Sequence, residues 1–202
     1  MLYVALEGPL FHGRFRVHSF SRRTCMALIT ALLHTENDAL RLGRALETVY
    51  ACDEIVVVDH GSRDGTVRVA REYGARVVDA RLKASPEEYL LLAKAGSVNP
   101  KAGSGGSAHS VWILCLDPRE SLTEKLAASL FEWKTESRQG QASMASAFSV
   151  FLREETAEGW VEVPTAQTRL VPQGWNSWHG RFPDNAVAAL PLEGELLRFA
   201  FP

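Results

Sequence analysis

The stretch Glu54-Ile55-Val56-Val57-Val58-Asp59-His60-Gly61-Ser62-Arg63-Asp64-Gly65-Thr66 decides the fold. Ile55 to Val58 is an unbroken β-branched run, the composition of a strand buried on both faces, as strands of parallel sheets are. Asp59 to Gly65 is a cluster of turn formers, and Thr66 to Tyr73 reads as a helix closed by Gly74, which enters left-handed backbone without a Cβ clash. Ala75 to Val78 follows as another strand. Strand, helix and strand in this order imply a right-handed crossover and parallel pairing.

Working outward, Met26 to Leu33 is an apolar run of strand length, followed by Thr35, Asn37 and Asp38, whose side chains suit a helix start. A helix is expected from Asp38 to Tyr50, with Leu42, Ala45, Leu46 and Val49 on its apolar face. Downstream, Ser85-Pro86-Glu87-Glu88 supplies a cap, a proline at the first helical position and two acids in the first turn, so a helix should reach Ala95. A Gly/Ser-rich loop separates it from Val111 to Leu116, a buried strand ending at Asp117. Ser121-x-x-Glu124 reads as a capping box for a helix to about Trp133. Beyond Gly140 the period shortens, and Met144 to Leu152, Trp160 to Val163, Gln167 to Val171 and the last residues read as strands and hairpins. The fold class is α/β: a mostly parallel sheet flanked by helices, with a short C-terminal β-rich part.

Composition narrows the functional classes. The 202 residues are 46% hydrophobic and 23% charged, which excludes collagenous, disordered and coiled-coil chains. With 22 basic and 24 acidic side chains the net charge is −2, so no general field draws nucleic acid, and none is expected as a partner. The apolar run Met26 to Leu33 falls far short of the roughly 20 residues of a membrane span. Cys25, Cys52 and Cys115 are odd in number and lack metal-ligand spacing, which points to reduced thiols and a cytoplasmic location. Between Gly8 and Thr35 no acid occurs, while Arg14, Arg16, Arg22 and Arg23 do. Residues 1–24 therefore read as a basic extension able to attract the inner face of an anionic membrane, and residues 25–202 as one domain.

In an open parallel sheet, ligands bind beyond the carboxyl ends of the strands, where loops and helix starts converge. Three such ends carry acids or amides: Thr35-Glu36-Asn37-Asp38, Asp59-His60-Gly61-Ser62 and Asp117-Pro118-Arg119-Glu120. Asp59 and Asp64 also suit plain turn and cap roles. Trp160, Trp175 and Trp178 suit core packing as well as stacking on a sugar ring. His60, His109 and His179 have no evident partner.

The segments TALLHTENDALRLGRALETV from Thr30, CDEIVVVDHGSRDGTVRVAREYGARVV from Cys52 and VWILCLDPRESLTEKL from Val111 together resemble family 2 glycosyltransferases of the GT-A fold. The lipopolysaccharide-type glucosyltransferase branch is nearest, with its T-x-N-E, EI-x-VVD-x-xS-x-D-x-T and W-x-L-x-LD-x-DE patterns. The resemblance implies a nucleotide-binding half over about 25–135 and an acceptor-side half over about 136–202. It implies inverting transfer of a sugar from a nucleotide-diphosphate sugar, UDP-linked, to a glycan or lipid-linked acceptor in cell-envelope polysaccharide synthesis. Thr35, Asn37, Asp59, Ser62 and Asp117 would bind the nucleotide, with Asp59 accepting from the uracil imide. Asp117 would also be a ligand to Mg²⁺ or Mn²⁺, hard cations that take oxygen donors.

The chain departs from that pattern at several places, among them Ser85-Pro86-Glu87-Glu88-Tyr89 and the Gly/Ser loop, where the family usually places a basic residue and an asparagine. The acid on the metal side is replaced by Arg119, which cannot ligate a cation. Arg119 then either neutralises the diphosphate itself, or metal and catalysis are absent and the domain only binds and scaffolds. Glu120 as a shifted ligand is the third alternative. Where the branch often has His-Glu this chain has Phe182-Pro183-Asp184, which makes Asp184 the candidate base.

Overall fold

A computed structural model describes residues 27–80, 85–95, 110–139 and 145–201; the basic extension and the Gly/Ser-rich loop lie outside them. Four strands pair in parallel in the order β3 (Arg76–Asp79), β2 (Glu54–Asp59), β1 (Ala27–Thr35) and β4 (Ser110–Leu116). The register sets Thr35 beside Asp59, and Leu33 beside both Val57 and Leu116. The carboxyl ends of β2, β1 and β4 therefore share one edge, with β1 between Asp59 and Asp117.

The sheet continues with β8 (Gln167–Pro172), antiparallel to β4, then β6 (Phe148–Thr156), β11 (Leu190–Arg198) and the short β5 (Glu120–Leu122). Strand β7 (Gly159–Glu162) forms a hairpin with β6, whereas β11 runs parallel to β6. A two-residue-per-arm hairpin, β9 (Trp178–His179) and β10 (Phe182–Pro183), pairs with itself and packs against the main sheet.

Alternation along the central strands divides the core in two. Ile29, Leu33, Val57 and Leu114 face helices α1 (Ala39–Thr48), α2 (Thr66–Glu72) and α4 (Glu124–Gln139). Leu32, Val56, Val58, Ile113, Cys115 and Val171 face Tyr89 and Leu90 of α3 (Pro86–Ala95), together with Trp175, Trp178 and Phe182. Both Trp175 and Trp178 thus pack on the core, and their indole N–H groups donate to the carbonyls of Ser177 and Trp175. Trp160 meets Phe199 edge-on.

Several local expectations hold. Gly74 stops α2 with φ of 75°. Ser85 and Glu88 cap α3 reciprocally, each side chain accepting from the other's backbone N–H. The capping box at Ser121 does not form. Residues 120–122 instead pair with Leu196–Arg198 of β11, and the helix starts one step later, with Thr123 Oγ1 accepting from Leu126 N. Helix α4 also runs on to Gln139 rather than stopping near Trp133. At Gly194 φ is 95°, and an added Cβ would lie 2.3 Å from the backbone nitrogen of Leu126, so only glycine lets β11 pass under α4.

Candidate functional site

The structure gathers Thr35, Asn37, Asp59 and Ser62 at one corner and bonds them to one another. Asp59 is 8% exposed. Its Oδ2 accepts from the backbone N–H groups of Gly61 at 3.2 Å and Ser62 at 3.0 Å. Its Oδ1 accepts from Ser62 Oγ and, at 3.4 Å, from Thr35 Oγ1. A carboxylate offers about four acceptor positions, and this one uses three of them on its own turn and the fourth on Thr35 of β1. Asn37, in left-handed backbone at φ 57°, donates its N–H to Ser62 Oγ and accepts from Arg63 N, tying the loops after β1 and β2 together. Asp64 completes the joint by accepting from Thr66 and from Ala39 N.

On the opposite face of the same strand ends a cleft of about 530 Å³ opens, lined by His34, His60, Ala80, Pro86, Tyr89 and Arg181. Asp59 is absent from its walls because successive side chains on β2 alternate: Val58 and His60 face the cleft side, Val57 and Asp59 the helices α1 and α2. His34 Nδ1 lies 2.9 Å from His60 Nε2, and the edge of Tyr89 meets the His34 ring at 5.6 Å. Burial, then the neighbouring His60, then Arg181 push the His34 pKa down to about 3. His60 is lowered too, by partial burial and by Arg181, against the opposing pull of Glu36 and Asp59. Both rings are therefore neutral near pH 7.

At the end of β4, Asp117 is held by Arg119. Its Oδ1 accepts from the Arg119 backbone N–H and from Nε, both at 2.9 Å, and Oδ2 accepts from Nη2 at 3.4 Å. Burial raises the Asp117 pKa, but these bonds outweigh it and hold the carboxyl below its ordinary value. Glu120, 0% exposed, accepts from the Asp117 N–H and from the guanidinium groups of Arg169 and Arg198. The alternative in which Glu120 turns outward as a cation ligand is overturned by this arrangement. Among the described residues no group of three or more His, Cys, Asp or Glu side chains gathers for a metal. With Asp117 bonded to Arg119 and Glu120 locked inside, the described residues at this strand end offer no free carboxylate to Mg²⁺ or Mn²⁺.

A second hollow of about 280 Å³ lies beyond the hairpin β9–β10, lined by Gln167, Arg169, His179, Phe182, Asp184 and Arg198 among others. Arg169 is 2% exposed, stacks on the Phe182 ring at 4.0 Å, and leaves Nε and Nη1 without partners among the described residues. Asp184 is exposed; its carboxylate accepts from Ser177 Oγ at 2.8 Å. Asp184 and Arg119 are thus each bonded to another group, and Asp184 sits with the arginines rather than in the histidine cleft. Residue-level reading missed His34, Tyr89, Arg169 and Arg181. The signals were a polar residue ending an apolar strand at His34 and an arginine directly before the apolar pair Leu170–Val171 at Arg169.

No family model matches the chain. It is similar to curated proteins named uncharacterized glycosyltransferases: 33% identity over 102 residues with one from Rickettsia felis, and 30% over 102 residues with one from Rickettsia prowazekii. These matches cover 50% of this chain but only 32% and 31% of the relatives, so the chain spans about a third of their length. Among solved structures, Staphylococcus aureus TarS matches 73% of this chain and 29% of its own at 14% identity, with a TM-score of 0.43. Mannosyl-3-phosphoglycerate synthase from Rubrobacter xylanophilus matches 65% of this chain and 41% of its own at 19% identity, with a TM-score of 0.39. The fold is a mixed α/β fold whose central strands pair in parallel, and half of the chain resembles proteins named glycosyltransferases.

Proposed function

We propose that the chain is a nucleotide-sugar-dependent glycosyltransferase that transfers its sugar with inversion to a glycan or lipid-linked acceptor. The observation that carries the reading is the pair of adjoining hollows at the carboxyl edge of the parallel strands, divided by the hairpin β9–β10. The larger suits a nucleoside, and its volume falls in the range of small-molecule sites. The smaller, with Asp184 and two arginines, suits a hydroxyl-bearing acceptor. Thr35, Asn37, Asp59 and Ser62 hold the loops that shape the first hollow.

Chemistry would then run without a cation. Arg119, the exposed member of its pair, meets the diphosphate and offsets the charge growing on it as the bond from the anomeric carbon to the phosphate oxygen breaks. The acceptor oxygen forms the new bond to that carbon, its proton passes to Asp184, and the electron pair leaves with the nucleoside diphosphate. The arginines of residues 1–24 would add weak attraction to an anionic membrane surface.

A second reading, a nucleotide- or carbohydrate-binding domain that transfers nothing, is favoured by one feature: the carboxylates of both Asp59 and Asp117 are already engaged inside the protein. Incubation with UDP-glucose and an acceptor glycan, with Mn²⁺ or with EDTA, tests the two. Transfer that survives EDTA and falls at least about a hundredfold in Arg119→Ala supports the enzyme. A UDP-dependent rise in Tm without turnover supports the binding domain, and neither effect refutes both.

A further inference from the structure

Resting on the nucleotide-sugar reading above, we propose that Arg181, on the turn of the hairpin β9–β10, holds with His60 the anionic end of the ligand in the larger cleft. The pair takes the place of a metal cation, for which the end of β4 offers no free carboxylate.

The charge of the cleft is one-sided. Its described lining is His34, His60, Ala80, Pro86, Tyr89, Gly180 and Arg181, with one permanent charge and no carboxylate among them. The acids that act on His60 are Glu36 and Asp59, and neither lines the cleft. The neighbouring arginines are occupied: Arg119 by Asp117, Arg169 by Glu120, and Arg198 by Glu120 and Glu154. Arg181 differs from all three. Its side chain is exposed and has no ion pair or hydrogen bond among the described residues, which leaves five N–H donors for a ligand. The planar fork of a guanidinium matches two oxygens of one phosphate, and the buried Ala80 and Tyr89 give the cleft a low-dielectric wall that strengthens the attraction.

His60 supplies a second donor. Its Nε2 lies 2.9 Å from His34 Nδ1, and the far nitrogen of His34, Nε2, is buried without a partner. An orphaned N–H costs more than an orphaned lone pair, so His34 donates through Nδ1 and the neutral His60 ring carries its own hydrogen on Nδ1. That His60 Nδ1 is bonded to nothing among the described residues and is not one of the buried orphan atoms, so a molecule in the cleft reaches it. Arg119 keeps fewer donors for the same task, because Nε and Nη2 already serve Asp117.

The test is calorimetric titration of the full chain, in EDTA, with UDP, uridine and inorganic pyrophosphate. Wild type should bind UDP at least tenfold more tightly than uridine. Arg181→Gln should bring that preference within about twofold and leave uridine binding unchanged, since a charge-assisted contact is worth about tenfold or more. Arg181→Lys, which keeps the charge and loses the fork, should recover part of it, and His60→Phe should lose about threefold. Arg68→Gln, which removes the same charge from an exposed helix face, should keep the full preference. Full preference in Arg181→Gln, or an equal loss in Arg68→Gln, overturns the assignment and leaves the nucleotide reading intact. Binding of neither UDP nor uridine overturns the nucleotide reading, and pyrophosphate then decides the anion site alone. It should bind wild type at least tenfold more tightly than Arg181→Gln, and equal binding, or none, overturns the proposal. Should a variant fail to fold, the ¹⁵Nε resonance of Arg181 in wild type should shift on adding pyrophosphate; an unchanged resonance overturns the proposal.

Discussion

Removing the Glu120 carboxylate should cost more stability than any other single change near the site. The residue is 0% exposed and neutralises Arg169, itself 2% exposed, at 2.8 Å and Arg198 at 2.7 Å. In Glu120→Ala both guanidiniums stay in place, one of them almost wholly out of water, with Glu154 reaching only Arg198. Breaking a buried pair from one side costs about 3–5 kcal/mol, a large part of the roughly 5–15 kcal/mol that holds a domain folded. With a urea slope of about 2 kcal/mol per molar, the unfolding midpoint should fall by about 2 M. Glu120→Gln should lose less because it retains an acceptor oxygen. Adding Arg169→Met to Glu120→Ala should recover part of the loss, because it removes the stranded charge. Equilibrium urea titration followed by tryptophan fluorescence measures all three. A loss below about 1 kcal/mol in Glu120→Ala, with the slope unchanged, would refute the claim that this carboxylate is what makes a buried arginine tolerable.

Three further outcomes are expected. Arg119→Ala should raise the Asp117 pKa toward the ordinary carboxylate value, since hydrogen bonds from Arg119 are what outweigh burial there. The pair's stabilisation is present above the ordinary carboxylate pKa and is lost as pH falls through the depressed one, so the variant should lose that acid-side slope; a carboxyl ¹³C titration in both proteins checks it. His34 has a folded pKa near 3 against 6.5 for the free ring, so the unfolded chain binds the extra proton and stability should erode as pH drops from about 6.5 toward 3. Unfolding midpoints in His34→Phe should be flatter over that window, and an identical slope in both proteins counts against the buried neutral ring. Gly194→Ala should destabilise by about 3 kcal/mol or more, because its Cβ would sit 2.3 Å from the Leu126 nitrogen at φ 95°; thermal melting reads this directly.

What the sequence disclosed and what it hid follow from the range of the interactions involved. Ile55 to Val58 announced a parallel strand because burial on both faces leaves only one composition. That same double burial erased the alternation that would have told which face each side chain takes. Asp59 and His60 were therefore indistinguishable as cleft residues until the register was known. Gly74 and the Ser85–Glu88 cap were legible because they act within one turn. Ser121-x-x-Glu124 misled because its local preference yields to pairing with Leu197, some seventy residues later. His60 had no visible partner for a similar reason: His34 reaches it across two strands. The Asp117–Arg119 pair, two residues apart, could be suspected from spacing, whereas the burial of Arg169 against Glu120 could not.

The hairpin β9–β10 has a consequence for how the molecule responds once occupied. Gly180 and Arg181 line the larger cleft together with His34, His60, Ala80, Pro86 and Tyr89, so a ligand there touches the early and late parts of the chain at once. It would act as a clamp joining two pieces of structure that share few covalent neighbours. Amide hydrogen exchange should then slow in the hairpin together with the ends of β1 and β2, and protection confined to one of the two would mean that the hairpin opens and shuts independently of the strand ends.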